Sequence, residues 1–372
     1  MPESLETPSI PLPENPPAKR KKVLIGVICS LVLIVLGSIG AIYLSETAPP
    51  QGGVVGRSLL DGPASPTPSA TPFPFQEMTI PALRDREYIG VLGPRQKISD
   101  NGSYTSYLTS YTSDDLKING LLTIPDGQPP IGGWPAIVFI HGYIPPSQYQ
   151  TTSRYQDHVN ALARSGFVVF KIDLRGHGES EGEPGGGYFG ADYVTDALNA
   201  RAALQADEII NKDKIGLWGH SMAGNVVLRA MAARPEIPAS VIWAGAVYTY
   251  TDMQEYGIQD NSYTPLPSDT SRQQKRQQLR ELYGNPSADS WFWKMVAPAN
   301  YLADIKGALQ IDHAINDDVV SIEYSRNLAK LAEAANMTLE LKEYPSGGHN
   351  ITGATFSVAM QNTINFFKGY LK

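Results

Sequence analysis

Cysteine is almost absent from this chain of 372 residues. Its single cysteine, Cys29, lies in an apolar stretch near the N-terminus. One thiol supports neither an intramolecular disulfide framework nor a cysteine-based metal site, so the fold has to be stabilised by buried apolar surface. A chain of this length can bury a large core in one α/β domain of about 250 to 300 residues.

Clusters of basic residues are scarce as well. The one run of cations is Lys19-Arg20-Lys21-Lys22, and the net charge of the chain is −7. An acidic protein without a basic face does not suit nucleic acid, so no nucleic-acid partner is expected. No His, Asp and Glu residues recur at metal-ligand spacing, and Gly185-Gly186-Gly187 lacks the lysine of a phosphate-binding loop. We therefore expect no metal and no other cofactor.

The N-terminal part differs from the rest of the chain. Residues 1–22 form a proline-rich tail that ends in the four cations, and residues 23–44 carry no charge. A helix of that length spans about 33 Å, enough to cross a hydrocarbon core of about 30 Å, and flanking cations mark the cytoplasmic side. A cleaved signal peptide and a core helix are the alternatives, but an apolar region of a signal peptide usually has only about 7–15 residues.

The sequence thus predicts a single-pass anchor in the cell membrane with a cytoplasmic N-terminus. A linker rich in Pro, Ser and Thr is expected over 45–79 and a folded domain over 80–372, on the outer side of the membrane.

The folded domain alternates short apolar runs with amphipathic segments. Strands are expected at 104–111, 116–124, 135–141, 167–173, 215–218, 239–247, 308–313 and 338–344, and helices at 155–164, 191–210, 321–335 and 354–370. The first two strands flank Asp114-Asp115 and predict an antiparallel hairpin. The order as a whole predicts an α/β fold with a mostly parallel sheet covered by helices on both faces.

A serine stands where one of these strands meets its helix. The run 215–218 leads into Gly219-His220-Ser221-Met222-Ala223-Gly224, and the amphipathic segment 225–233 follows at once. A strand, a sharp turn and a helix form an elbow that holds a serine hydroxyl clear of the sheet. The pattern predicts Ser221 as a nucleophile.

A serine is a weak nucleophile unless a base takes its proton, and the base needs a carboxylate to fix its tautomer. In sites built on such an elbow, the acid and then the histidine follow the serine along the chain. His349 lies on a glycine-rich loop between the last expected strand and the last helix, and we expect it to be the base. The other histidines are expected to shape loops or to pack, and they are His141, His158, His177, His220 and His313.

The acid should lie on the loop after the preceding strand. The run from Ile311 to Val320 offers Asp312, Asp317 and Asp318. Asp312 ends a strand and is expected to be structural. Asp317 at the loop apex is favoured, and Asp318 is the second candidate because it could instead cap the next helix. The remaining alternative is that all three are solvated loop carboxylates.

An oxyanion needs two backbone donors. The N–H of Met222, directly after the nucleophile, is the first candidate, and the N–H of Tyr143, on the loop after strand 135–141, is the second.

Five motifs in this order carry a family resemblance. They are Phe139-Ile140-His141-Gly142-Tyr143, Asp173-Leu174-Arg175-Gly176-His177-Gly178, Gly219-His220-Ser221-Met222-Ala223-Gly224, Asp317-Asp318-Val319-Val320 and Gly348-His349. Over about residues 115–371 the chain resembles the α/β-hydrolase superfamily and is most similar to the catalytic domain of the prolyl oligopeptidase (dipeptidyl aminopeptidase) family. The resemblance implies an α/β-hydrolase fold, and it implies that the insertion at about 248–300 is a cap over the catalytic end of the sheet. A simple surface excursion is the alternative for that insertion.

Three departures accompany the resemblance. Ala223 and Ala314 stand where that family has glycine, and no β-propeller precedes the domain. In that family the propeller restricts substrates to peptides, and esterases share the catalytic domain without it. The sequence therefore predicts a membrane-anchored serine hydrolase for a small peptide or an ester. The alternatives are an esterase without peptidase activity and a hydrolase fold used only for binding. The oligomeric state is left open.

Overall fold

The computed structural model describes residues 71–261, 263 and 270–372. The expected tail, the expected membrane helix 23–44 and most of the expected linker lie outside these residues. In the part of the chain that is described, no helix is both long and apolar enough to cross a membrane.

A single mixed sheet organises the described residues. Its strands are β1 Gln96–Asp100, β2 Tyr104–Ser113, β3 Leu116–Pro125, β4 Trp134–Ile140, β5 Val168–Ile172, β6 Ile210–His220, β7 Ala239–Trp243, β8 Ala308–Ala314 and β9 Leu339–Tyr344. Their order in the sheet is β1-β2-β3-β5-β4-β6-β7-β8-β9. Along this order, the six strands β5, β4, β6, β7, β8 and β9 pair in parallel. Strands β1, β2 and β3 pair antiparallel with their neighbours, and β3 also pairs antiparallel with β5. The predicted hairpin is β2 and β3.

Helices cover both faces of the sheet. They are α1 Ile80–Asp85, α2 Gln156–Arg164, α3 Asp192–Gln205, α4 Met222–Ala233, α5 Tyr250–Tyr256, α6 Ser271–Tyr283, α7 Trp291–Val296, α8 Glu323–Ala334 and α9 Ala354–Leu371. Alternate residues of β4 divide between two cores: Val138 packs with α3 and α4, and Phe139 packs with α2 and α9. A central strand buried on both faces is apolar throughout, which explains the continuous apolar runs of the sequence. The α/β-hydrolase fold that the sequence predicts is confirmed.

The element bounds differ from the predicted ones at a few places. The helix expected to reach residue 210 ends at Gln205, because a turn at Asp207 leads directly into β6 at Ile210. Strand β1 was not predicted, since its sequence Gln96–Asp100 is polar and mostly exposed at the sheet edge. The strand expected over 239–247 ends at Trp243.

The insertion between β7 and β8 consists mainly of α5, α6 and α7, and it leaves the sheet at the carboxyl end of β7. The aromatic cluster Trp291-Phe292-Trp293, at the start of α7, packs within this insertion. Phe292 stacks on Tyr283 with ring centroids 3.9 Å apart, and Trp293 contacts Tyr250 at 5.1 Å. Phe292 and Trp293 are fully buried, so they form a small core of the insertion.

The segment at residues 73–77 packs against the same insertion. Phe73 contacts Trp291 edge-on at 5.2 Å, and Tyr283 Oη donates a hydrogen bond to the Pro74 carbonyl at 2.6 Å. Lys275 lies 3.6 Å from the Glu77 carboxylate. Residues 73–77 therefore join the chain to α6 and α7 before α1 begins.

Candidate active site

Ser221 lies at a strained turn between β6 and α4. Its backbone has φ 55° and ψ −120°, a conformation that costs free energy for a residue with a Cβ. Its N–H donates to the Trp243 carbonyl at 2.8 Å, which ties the turn to β7. A Cβ on Gly219 would lie 2.7 Å from Val227 Cγ2 and 2.9 Å from the Ala223 carbonyl oxygen. Glycine at 219 therefore lets α4 fold back closely onto β6, as the sequence motif implies.

His349 and Asp317 come from two other loops at the same edge of the sheet. Asp317 follows β8, and His349 lies between β9 and α9. His349 Nδ1 is 2.8 Å from Asp317 Oδ2. A second bond, from Gly348 N–H to Asn316 Oδ1 at 3.0 Å, holds the two loops together. The ring of His349 lies 4.8 Å from that of His220, the residue before Ser221. The structure therefore places His349 and Asp317 together, next to the residue that precedes Ser221.

Four N–H groups surround the Asp317 carboxylate, and its side chain is fully buried. Oδ1 accepts from the N–H groups of Val319 and Val320, both at 2.9 Å. Oδ2 faces His349 Nδ1 and also His313 Nε2, at 3.0 Å. Burial alone would raise the pKa of Asp317, but the hydrogen bonds from His313, His349 and the Val320 N–H hold that pKa well below its usual range. The group is therefore a carboxylate at every physiological pH.

The two other aspartates of this region occupy different settings. Asp318 is exposed, and α8 begins five residues later with Ile322 as its N-cap, so Asp318 does not cap that helix. Asp312 is fully buried and accepts hydrogen bonds from Tyr344 and Gln310. Burial raises the pKa of Asp312 to about 7 despite these bonds. Asp312 thus has a structural setting, as the sequence predicts.

The two expected oxyanion donors lie at the start of α4 and on the loop after β4. Met222 is the first residue of α4, so its N–H has no carbonyl one turn earlier to bond. Tyr143 lies on the loop after β4. The Gly142 carbonyl and the Tyr143 N–H share one planar trans peptide, and His141 Nδ1 lies 2.7 Å from that carbonyl oxygen. Because the C=O and N–H of a trans peptide point in opposite directions, the N–H of Tyr143 points away from the ring of His141.

Polar contacts made by two histidines of this region were missed by sequence reasoning. His313 contacts Asp317, with Ser325 Oγ 2.7 Å from its Nδ1. His220 contacts both Tyr155 and the loop of His349. The only sequence signal was the position of both histidines at strand ends. The remaining histidines pack or bond within loops: His158 is enclosed by the rings of Phe139, Tyr155, Trp218, Trp243 and Phe356, and His177 bonds backbone carbonyls.

A hydroxyl on a strained turn, an imidazole on a neighbouring loop and a carboxylate on its Nδ1 side are the parts needed for acyl transfer. The backbone N–H at the start of α4 adds a donor for developing negative charge.

Comparison with known proteins agrees with this fold. The family described as serine aminopeptidase, S33, matches residues 135–354. The uncharacterized peptidase YtmA of Bacillus subtilis is 24% identical over 247 residues, which are 65% of this chain and 85% of that protein. Acetyl xylan esterase from Paenibacillus sp. R4 superimposes with a TM-score of 0.54 at 17% identity, over 78% of this chain and 92% of that one. Dipeptidyl peptidase 4 of Porphyromonas gingivalis gives a TM-score of 0.55 at 20% identity, over 72% of this chain but only 36% of that one. At such identities the two solved structures show a common fold and no more.

Proposed function

This chain belongs to the serine aminopeptidase S33 family, which matches residues 135–354, and we propose that it is a serine hydrolase that cleaves amide or carboxylic ester bonds through an acyl-enzyme. The observation that carries the proposal is the bond between His349 Nδ1 and Asp317 beside the strained turn of Ser221. Its substrate is a small peptide or an ester.

In this mechanism Ser221 Oγ attacks the substrate carbonyl while His349 Nε2 takes the hydroxyl proton. Asp317 keeps the other proton of His349 on Nδ1 and stabilises the imidazolium that forms. The N–H groups of Tyr143 and Met222 donate to the oxyanion of the tetrahedral intermediate. His349 then gives its proton to the departing amine or alcohol, and water releases the acyl group by the same steps.

The first experiment tests the nucleophile. The full-length protein would be treated with a fluorophosphonate and the modified peptide identified by mass spectrometry. We expect modification of Ser221 in the wild type and none in Ser221→Ala, with a strongly reduced rate in His349→Ala. A folded wild-type protein that stays unmodified would refute the serine mechanism and favour a non-catalytic binding role.

Amide and ester cleavage pass through the same kind of tetrahedral intermediate, so the leaving group has to be tested directly. Rates on p-nitrophenyl esters would be compared with rates on aminoacyl and prolyl p-nitroanilides, using Ser221→Ala as the blank. Turnover of the anilides supports a peptidase. Turnover of esters alone supports an esterase without peptidase activity. The shared fold with the acetyl xylan esterase from Paenibacillus sp. R4 is the reason to test this alternative.

We also propose that residues 23–44 anchor the enzyme in a membrane with the N-terminus cytoplasmic and the catalytic domain outside. The uncharged run behind four cations supports this. Resistance of the membrane-bound protein to alkaline extraction, with protease access to the domain in intact cells, is the expected result. Release by alkali would contradict the anchor.

A further inference from the structure

Three hydrogen bonds join the loops that follow β4, β6 and β9. The Gly142 N–H donates to Tyr155 Oη at 3.1 Å, and Tyr155 Oη lies 2.8 Å from His220 Nδ1. His220 Nε2 then lies 3.0 Å from the carbonyl oxygen of His349. Gly142 adjoins Tyr143, His220 adjoins the nucleophile, and His349 is the base. The path touches each part of the proposed machinery and contains no atom that reacts.

Only one arrangement of protons satisfies every member of this path. Burial, together with nearby His349, lowers the pKa of His220 to about 3, so the ring is neutral and carries one N–H. A carbonyl oxygen can only accept, so this N–H is on Nε2 and points to His349. Burial raises the pKa of Tyr155 to about 12, so the phenol keeps its proton. Because Tyr155 Oη accepts from Gly142, its own proton goes to His220 Nδ1.

The path is also tightly packed. A Cβ on Gly142 would lie 3.0 Å from His220 Nδ1 and 3.1 Å from Tyr155 Oη, so the loop after β4 rests directly on both side chains. The ring of Tyr155 packs edge-on against Phe139 and Trp218, with centroids 5.5 and 6.0 Å away. A phenol held by these rings fixes the loop in position.

We propose that Tyr155 and His220 are positioning residues that hold the loop of the Tyr143 oxyanion donor and the loop of the His349 base in register with Ser221. The proposal rests on the proposed function. Oxyanion donors act only within about 2.7–3.1 Å of the charged oxygen, and a displacement of about 1 Å costs on the order of a hundredfold in rate.

The variants are chosen to break the path at different points. Tyr155→Phe removes the hydroxyl and keeps the ring. In His220→Gln the amide nitrogen stands near the place of Nε2 and the contact with Tyr155 is lost. In His220→Asn the amide stands near the place of Nδ1 and the contact with the His349 carbonyl is lost. We expect each to lower kcat by about 10- to 50-fold and to change KM by less than about threefold, because the transition state is affected more than substrate binding.

Tyr111→Phe is the matched control. It also removes a buried tyrosine hydroxyl, which donates to the Asp196 carbonyl at 2.8 Å, and Tyr111 lies on β2. We expect Tyr111→Phe to keep the full kcat although it loses about as much thermal stability as Tyr155→Phe. Since Tyr155→Phe and His220→Gln break the same link, the double variant should lose no more than about twofold beyond Tyr155→Phe. Single variants with the kcat of Tyr111→Phe, in a protein whose wild type is modified at Ser221, would overturn the proposal. An unmodified wild type would instead refute the proposed function.

A measurement on the wild type alone covers the case in which the variants do not fold. Nitrogen-15 NMR of histidine side chains, with the His220 signals assigned through the proximity of its ring to that of Tyr155, 5.7 Å away, reports the tautomer directly. We expect a neutral ring with the proton on Nε2, unchanged from pH 5 to pH 9. A proton on Nδ1, or a ring that titrates near pH 6.5, would overturn the proposal whatever the activities are.

Discussion

Replacing Asp317 with asparagine tests the site most sharply. The side chain keeps its shape, but only one of its two terminal atoms still accepts hydrogen bonds. With Oδ1 on the N–H groups of Val319 and Val320, the new amide N–H₂ faces His349 Nδ1. His349 then has to carry its own proton on Nε2, the nitrogen needed to take the proton of Ser221.

The structure sets the size of this effect. A positive charge on His349, 2.8 Å from the carboxylate oxygen, is stabilised by about 6 kcal/mol at an effective dielectric constant of about 20. A ten-thousand-fold loss, about 5.4 kcal/mol, is the scale known for an acid-to-amide change in a serine triad. We therefore expect kcat/KM of Asp317→Asn to fall by about 10³- to 10⁴-fold on a p-nitrophenyl ester.

Asp318→Asn is the matched control, because the same change is made one residue further on, at an exposed carboxylate. We expect its kcat/KM to stay within about twofold of the wild type. Circular dichroism and thermal melting would show whether both variants fold. If Asp317→Asn kept more than about a tenth of the activity, or if Asp318→Asn lost as much, Asp317 would not be the acid.

Three further outcomes are expected. His313→Asn removes an N–H from Asp317 Oδ2 and should lower kcat/KM on a p-nitrophenyl ester by about tenfold; an unchanged kcat/KM would contradict a supporting role for that bond. Asp312 has its pKa raised to about 7, so its own contribution to stability should fall as pH rises from about 4 to 7; in melts from pH 5 to pH 8.5, the stability of the wild type relative to Asp312→Asn should therefore decrease as pH rises, and a constant difference would contradict this. Gly219→Ala places a methyl group 2.7 Å from Val227 Cγ2 and should lower the free energy of unfolding in urea by about 1–3 kcal/mol; an unchanged midpoint would contradict the close approach of α4 and β6.

The parts of the fold that were predictable are those in which burial dictates composition. Strands such as β4 are buried on both faces, so they appear in the sequence as short apolar runs. Residues on the loops after parallel strands meet at one edge of the sheet, so the order of Ser221, Asp317 and His349 was enough to expect them together. Strand β1 was missed because an exposed edge strand needs no apolar residues.

The contacts that were missed depend on loop geometry. Tyr155 and His220 are 65 residues apart, and nothing in the sequence around either one indicates the other. The bond between His313 and Asp317 requires the turn after β8 to bring the two side chains to one point. Phe292 and Trp293 are fully buried, because a small insertion needs a core of its own and uses its largest side chains for it.

The attachment of Phe73 to Trp291 has a mechanical consequence. Load applied to the chain on the N-terminal side of residue 73 reaches α6 and α7 through Phe73, Pro74 and Glu77 before it reaches the sheet. These contacts are few and lie at the surface, so they would yield at lower force than the hydrogen-bonded strands. A truncated protein that begins at residue 80 would lack this fastening, whereas one that begins at residue 71 would keep it.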